Sequence, residues 1–378
     1  MGFRTYTCKI ARNCGGCEWL SVPYPIQLRR KQEQVESLLG DMAASCGARI
    51  DKICGVAGEP LAYRHKAATP FAPAGHGRIR CGFYAAGTHR IIPCEKCLVE
   101  DPRARKILNG VARVAERLHI PAYEEDRGIG VLRHAVVRCG YATDDVLLTL
   151  VTNVPELRGP DRVVAALREE CPEVTSIVQN VNTRRTNAIL GKQNRTLWGT
   201  GVMHDKLLGC TFEIGPSSFY QTNPEQTEVL YQLALDAAGF ESGMSVLDAY
   251  CGTGTITLCL ARRAKKAVGV EIIPQAIEDA KDNAQRNGIG NAEFFCGDAG
   301  TAALALEAQG IRPDVITVDP PRKGLNADTI EAIARMAPKR LVYVSCDPAT
   351  LARDVALLKE RGFRVEKAMA ADLFPRCS

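Results

Sequence analysis

Past about residue 225 the chain alternates short apolar runs with segments of helical periodicity. The runs MSVLDAY, AVGVEII, AEFFCGDA, PDVITVDP and RLVYVSCDP are nearly continuous in apolar residues. Strands of that kind suit a parallel sheet buried on both faces. Residues 60–205 read differently. They hold many short strand signals, among them the β-branched runs HAVVRC, DVLLTLVT and TSIVQNVN, with helices near 101–118 and 160–169. Upstream, Leu28, Val35, Leu38 and Met42 recur at helical spacing, with RRK and Glu/Gln opposite, which predicts a helix from Pro25 to about Leu39. Residues 1–22 are cysteine-rich and short of helix signals. The expected organisation is an N-terminal cysteine segment (1–22), a helix packing on the last domain (23–45), a mixed α/β domain (46–210) and a doubly wound α/β domain (211–378). FRVEKAMAADLF is expected to supply a sixth strand to that last sheet.

Length and composition agree with more than one domain and a sizeable core: 378 residues, 46% of them hydrophobic. No apolar run reaches the length of a membrane span, and MGFRTYTCKI lacks the apolar block of a signal peptide. A cytoplasmic protein is expected, and 16 cysteines are then not a disulfide framework. Cys46, Cys54, Cys139, Cys171, Cys210 and Cys259 stand singly and read as small apolar fillers. The net charge of +5 permits a nucleic-acid partner without requiring one.

MSVLDAYCGTGTITLCLA reads as a strand, a glycine turn and a helix start. Gly252 and Gly254 allow a ligand close to the backbone. Glu271 ends the next strand, 23 positions after Asp248, where an acid holds ribose hydroxyls. Thr257 stands where a dinucleotide fingerprint wants a third glycine, so S-adenosylmethionine fits better than NAD. Asp298 and Asp319 end the third and fourth strands, and open α/β sheets bind ligands at such carboxyl ends.

The fourth strand leads into VDPPRKG. Methyltransferases acting on exocyclic amines often have an aromatic residue after the two prolines; here Arg322 stands there, which disfavours amine chemistry. The fifth strand ends in YVSCDPATLARD, placing Cys346 between a strand and a helix. Helix amides there are expected to favour a thiolate. A thiolate is what carbon 5 of uracil needs. That carbon is a poor nucleophile until a thiolate adds at carbon 6 and makes an enolate, which attacks a sulfonium methyl.

TCKIARNCGGCEWL sets Cys8, Cys14 and Cys17 in a C-x5-C-x2-C array, and IIPCEKCLVEDP offers Cys94 and Cys97. Such thiolate sets bind zinc or an iron–sulfur cluster, and spacing alone does not choose.

Together CxIAxxCGGCxWL, SIVQNVNTRRTNAILG, SSFYQTNPEQ, LDAYCGTGT, DPPRKG and YVSCDPATLARD resemble the bacterial RNA uracil-5-methyltransferases, from Tyr6 to the last residue. The likeness is nearest to members acting on 23S ribosomal RNA, which carry a 4Fe–4S cluster; the tRNA members lack the cysteine array. The resemblance implies a class I S-adenosylmethionine-dependent methyltransferase domain, Rossmann-like, joined to a central RNA-binding domain. It implies Cys8, Cys14, Cys17 and Cys97 as cluster ligands, Cys97 being preferred because CLVEDP is similar to the family's CPxxxP-like stretch. It implies that Gln221, Tyr250, Thr255, Glu271, Asp298 and Asp319 line the cofactor site with Gly252 and Gly254, and that Cys346 is the nucleophile. The sequence departs from the family twice. No small β-barrel precedes the first cysteine, and the chain stops at DLFPRCS, where relatives continue to a base glutamate and a last strand. A truncated form is therefore expected. RNA contacts are expected from YRHKA, VLRHAVVR and NTRRTN, and the partner picture is RNA, no membrane and a monomer. The alternatives are a catalytically impaired RNA-binding form, a tRNA uracil-5-methyltransferase, and a zinc-stabilised methyltransferase of a small substrate.

Overall fold

The computed structural model describes residues 4–241 and 243–377. Met1–Phe3, Ser242 and Ser378, which the first and last expected segments include, lie outside the described residues.

The chain opens with a single-turn helix α1 (Ala11–Cys14), a long helix α2 (Tyr24–Ala44) and a short strand β1 (Arg49–Ile50). The central domain comes next: β2 (Lys66–Pro73), β3 (Ile79–Tyr84), β4 (Ile91–Pro93), α3 (Pro102–Arg117), β5 (Leu132–Cys139), β6 (Val146–Thr152), α4 (Pro160–Glu170), β7 (Ser176–Val181) and β8 (Gln193–Trp198). These strands form one mixed sheet in the order β4-β3-β2-β5-β6-β7-β8. Helix α3 shows why it forms where it does. Asp101 caps it by accepting from the Arg103 N–H, Pro102 opens it, and Ala104, Ile107, Leu108, Val111, Val114 and Ala115 make one buried stripe. That stripe packs with α4 on one face of the sheet. Every residue of β5 and β6 is buried. The sheet's other face is covered too, since Leu147 of β6 and Val178 of β7 belong to the core of the next domain.

A hairpin, β9 (Met203–Leu207) and β10 (Cys210–Ile214), and helix α5 (Pro224–Ala238) lead into the last domain. The hairpin straddles the boundary expected between residues 210 and 211. Its Met203, Leu207, Cys210, Phe212 and Ile214 pack into the last domain's core. There the elements alternate: β11 (Ser245–Asp248), α6 (Thr255–Ala261), β12 (Lys266–Glu271), α7 (Pro274–Arg286), β13 (Ala292–Cys296), α8 (Ala299–Ala308), β14 (Val315–Val318), α9 (Ala327–Met336), β15 (Arg340–Tyr343) and α10 (Pro348–Lys359). The five strands are parallel, in the order β13-β12-β11-β14-β15. This is a doubly wound sheet, and the order reverses beside β11.

The expected sixth strand is not in this sheet. Of FRVEKAMAADLF only β16 (Lys367–Ala368) is strand, and it pairs in parallel with β1. Residues 372–376 supply the physical reason. Asp372 is held by the Tyr24 hydroxyl at 2.9 Å and the Lys31 ammonium at 2.7 Å, and the Arg376 N–H donates to Gln27 at 2.9 Å. These bonds tie the segment to α2 instead of to β15. Helix α2 itself lies against α10, where Lys359 donates to Ser45 at 2.7 Å.

Candidate active site

The ligand-facing turn is built where β11 ends. Gly252 and Gly254 have φ of 54° and 84°, a region closed to most side chains. A Cβ on Gly254 would press on Ala280 and the Phe294 ring, whereas one on Gly252 would meet nothing within 4 Å. Gly254 therefore serves packing, and Gly252 faces open space. Glu271, at the end of β12, accepts from the Gly252 N–H at 3.2 Å and the Ile273 N–H at 3.0 Å, so it is fixed beside the turn. Thr255 begins α6, and its hydroxyl lies 3.2 Å from that of Tyr231 on α5. Tyr250 sits between the turn and β11, with its phenol pushed up by burial. Asp298 is exposed and caps α8 through the Thr301 N–H at 3.2 Å. Gln221 is half-buried in the loop before α5, whose Ser218 hydroxyl donates to Asp279 on α7 at 3.1 Å.

Two carboxyls at strand ends are strained electrostatically. Burial, with Asp248 nearby, pushes Asp319 up to about 7. Burial also pushes Asp248 up to about 6, although the Thr257 hydroxyl donates to it at 2.6 Å. Thr317, its cross-strand neighbour on β14, and the Tyr250 backbone also favour the Asp248 carboxylate. Buried carboxyls at the carboxyl ends of parallel strands lie where open α/β sheets take ligands.

Cys346 is exposed in the turn between β15 and α10. It stands beside the DPPR loop: Val344 donates to Val318 at 2.8 Å, and Arg322 reaches Asp347 at 3.9 Å. The helix amides expected to act on the thiol are engaged elsewhere. Asp347 accepts from the Ala349 and Thr350 N–H groups at 3.0 and 3.4 Å.

The N-terminal cysteines and the Cys94–Cys97 loop share one neighbourhood. Burial pushes Cys17 up to about 12, with Cys377, Cys97 and Cys14 adding repulsion. Burial likewise raises Cys14, with Cys8 contributing, and Cys94 to about 12, with Cys97 and Cys14 contributing. Among the described residues no three His, Cys, Asp or Glu side chains are arranged to hold a single metal ion. Cys377 joins this neighbourhood without having been expected there. Its thiol donates to the Gly16 carbonyl at 3.4 Å, between Cys14 and Cys17, and receives the Arg64 guanidinium at 3.5 Å. Nothing in its local sequence signals this, because the chain fold alone brings residue 377 to residue 16. Phe219, 70% exposed and two residues before Gln221, was also unforeseen.

The expected RNA-contacting stretches divide sharply. In VLRHAVVR, the residues Arg133, His134 and Arg138 are buried. Arg133 is bonded to the Asn182 and Arg184 carbonyls and Arg138 to the Ser218 carbonyl, so these guanidiniums are turned inward and brace the framework. Arg184 and Arg185 of NTRRTN are exposed. Lys66 of YRHKA is pushed down to about 8 by burial and by Arg138.

The strand order, the glycine turn and the acids at the strand ends define an S-adenosylmethionine-dependent methyltransferase. Residues 204–378 match the family model described as tRNA (Uracil-5-)-methyltransferase. Over 370 residues the chain is 42% identical to an uncharacterized RNA methyltransferase of Oceanobacillus iheyensis, spanning 98% of this chain and 80% of that protein. It is 40% identical over 369 residues to an uncharacterized RNA methyltransferase of Staphylococcus aureus, spanning 98% and 81%. A crystal structure of Pyrococcus abyssi tRNA (uracil-54, C5)-methyltransferase with S-adenosyl-L-homocysteine is 25% identical, with a TM-score of 0.78 over 96% of this chain and 83% of that one. The chain belongs to the RNA uracil-5-methyltransferase family. Among the described residues no helix is long and apolar enough to cross a membrane.

Proposed function

We propose that this chain methylates carbon 5 of a uridine in 23S ribosomal RNA through a covalent bond between Cys346 and carbon 6. The observation that carries this reading is the exposed Cys346 thiol at the carboxyl end of β15, against the DPPR loop and the strand-end acids. S-adenosylmethionine supplies an electrophilic methyl group. The residues fit it: the space in front of Gly252 is open, and Glu271 is fixed against that turn by the Gly252 and Ile273 N–H groups. In this reading Gln221, Tyr250, Thr255, Glu271, Asp298 and Asp319 surround the cofactor. The Cys346 sulfur would add to carbon 6 as a thiolate, and carbon 5, now an enolate carbon, would bond to the methyl group as the methyl–sulfonium bond breaks and its electron pair stays on sulfur, leaving a neutral thioether. A base then takes the carbon 5 proton, the sulfur–carbon bond breaks and the ring double bond returns.

Cys8, Cys14, Cys17 and Cys97 would hold a 4Fe–4S cluster, which supplies a structural clamp between the N-terminal segment and the central domain. Thiols from both stretches interact in one half-buried place, with Arg64 and Arg105 nearby to offset thiolate charge. A four-iron cluster fills the centre between its ligands, so its thiolates need not converge on a single ion. Cys17→Ser should lose iron and acid-labile sulfide; normal iron content would contradict the ligand set.

A tRNA uridine is the second reading, supported by the uracil-54 tRNA activity in the name of the Pyrococcus abyssi relative. Mass mapping of 23S ribosomal RNA and tRNA after reaction with the purified protein decides between them. RNA bearing 5-fluorouridine tests the mechanism, because fluorine cannot leave as a proton does and the adduct persists. Absence of a denaturation-resistant complex through Cys346 would sink the covalent route.

A further inference from the structure

At the β2–β4 edge of the central sheet, away from the catalytic turn, lies a cavity of about 490 Å³. That is within the range of small-ligand sites. Phe71, Tyr84, His89, Tyr123, Glu125 and Asp126 line it. The rings of Tyr84 and His89 lie 5.7 Å apart and tilted, and His134 meets Tyr84 edge-on at 6.3 Å. His134 is buried, and its Nδ1 has no hydrogen-bond partner among the described residues. Arg133 lies 4.5 Å over one face of Tyr123 and donates to Glu125 at 3.1 Å. Bonds to the Asn182 and Arg184 carbonyls, at 2.7 and 2.8 Å, fix that guanidinium in turn. Tyr123 and Glu125 are therefore held rigid before any ligand arrives.

Two of the acids in the wall are matched by guanidiniums: Glu125 faces Arg133, and Glu124 lies 3.1 Å from Arg127. Asp126 lies 2.9 Å from the His89 ring. The charge of Glu125 and Glu124 is offset, while oxygen lone pairs remain to accept hydrogen bonds. Outside the cavity, the Arg185 guanidinium donates to the Arg127 carbonyl at 2.7 Å, so the exposed Arg184–Arg185 loop abuts the mouth. Aromatic walls, fixed acceptors and nearby guanidiniums are the parts that take an unstacked base with its phosphates outside.

We propose that this cavity holds a splayed-out guanine of the RNA substrate, its ring against Tyr84 and its Watson–Crick edge on Glu125. Guanine is selected because its N1–H and N2–H donors lie side by side, which suits a carboxylate. Adenine and cytosine set an acceptor next to their amine, and uracil has one N–H between two carbonyls. The inference rests on the reading that RNA is the substrate. Its position suits that role. The His65 N–H donates to the Thr222 carbonyl at 2.8 Å, next to Gln221, and β2 runs from there to the cavity. The distance from Lys66 to Ala72 is roughly 20 Å at strand rise, so the guanine would lie on the same RNA as the target uridine.

The test uses the full chain and 6-thioguanosine 5′-monophosphate, photo-crosslinked and mapped by peptide mass. Adducts are expected within residues 84–91 or 121–127. Guanosine monophosphate should compete at concentrations about ten-fold below those of the other three nucleotides, the discrimination of one good base-edge contact. Tyr84→Ala should remove the adduct while circular dichroism stays unchanged, and Glu125→Gln should erase the preference for guanine. His89→Ala, at the exposed rim, gives the same readout of adduct loss if Tyr84→Ala does not fold. Adducts elsewhere, equal competition by all four nucleotides, or an unaltered adduct in the folded variant would overturn the proposal. Uridine methylation is measured on the same preparation. Methylation without a guanine-selective adduct sinks this inference alone; the adduct without uridine methylation sinks the functional reading alone.

Discussion

The two sheets of this protein bury different kinds of polar side chain. In the central sheet they are amides and guanidiniums bonded to their neighbours, Gln179 donating to Thr152 at 2.8 Å and Asn180 to Asn194 at 2.7 Å, although Gln179 Oε1, His134 Nδ1 and Arg138 Nε stay without a partner among the described residues. Against its helix face the buried Glu100–Arg105 pair is doubly bonded at 2.7 Å. In the second sheet the buried polar groups are carboxyls gathered at the carboxyl ends of the strands, where burial pushes Asp248 up to about 6 and Asp319 up to about 7. Bonded amides and guanidiniums are framework; carboxyls at the ends of parallel strands lie where open α/β sheets take ligands. Substitutions should therefore cost stability in the first sheet and ligand handling in the second.

The largest effect expected is on catalysis alone. Cys346→Ala should take methyl transfer to RNA down to background while S-adenosylmethionine affinity by calorimetry and the melting temperature hold, because the thiol is exposed. A parallel loss of cofactor affinity would make it a structural cysteine. Arg105→Ala tests the other side. It leaves Glu100 charged and buried, and should destabilise the central domain by about 3–5 kcal/mol in urea unfolding. A change below about 1 kcal/mol, the scale of an exposed pair, would break the contrast between the sheets.

Glu271→Ala should weaken S-adenosylmethionine binding by roughly 1.5–3 kcal/mol, the scale of charge-assisted hydrogen bonds. Unchanged affinity would remove Glu271 from the cofactor site. The smallest effect concerns pH. The Asp319 carboxyl keeps its proton in the folded protein after the unfolded chain has released it, since its folded value is about 7. That contribution is fully present below the ordinary carboxylate range and is lost as pH rises through about 7. Asp319→Asn should flatten the fall in stability between pH 5 and pH 8 seen in ligand-free thermal melts. A variant that parallels the natural protein across that window would show that Asp319 is not the group responsible.

The doubly wound domain was legible because its signal is local and repeated. Five apolar runs, a glycine turn and an acid at a strand end each occupy a few adjacent residues, and MSVLDAYCGTGT carries strand, turn and helix start together. The central domain was legible as strands and two helices, but its polar residues were misjudged. VLRHAVVR looked like a source of RNA contacts, yet Arg133 and Arg138 turn inward to backbone carbonyls. Charge in a sequence does not say whether a strand will be covered on both faces. FRVEKAMAADLF failed for a related reason: strand propensity is local, but the choice of partner was made by Asp372 and Arg376 against α2.

The sequence by itself determined which chemical groups are available: the glycine turn, the DPPR loop, the thiol at residue 346 and the paired cysteine stretches, because each is a short motif whose residues act through their neighbours in the chain. Only the tertiary structure decided what those groups meet. It brought Cys377 to Gly16, set Arg133, which stands in a stretch expected to contact RNA, as the brace of Tyr123 and Glu125, and formed an aromatic-lined cavity from residues between 71 and 127. Burial and hydrogen-bond satisfaction are properties of surfaces in contact, and those surfaces come from segments tens to hundreds of residues apart.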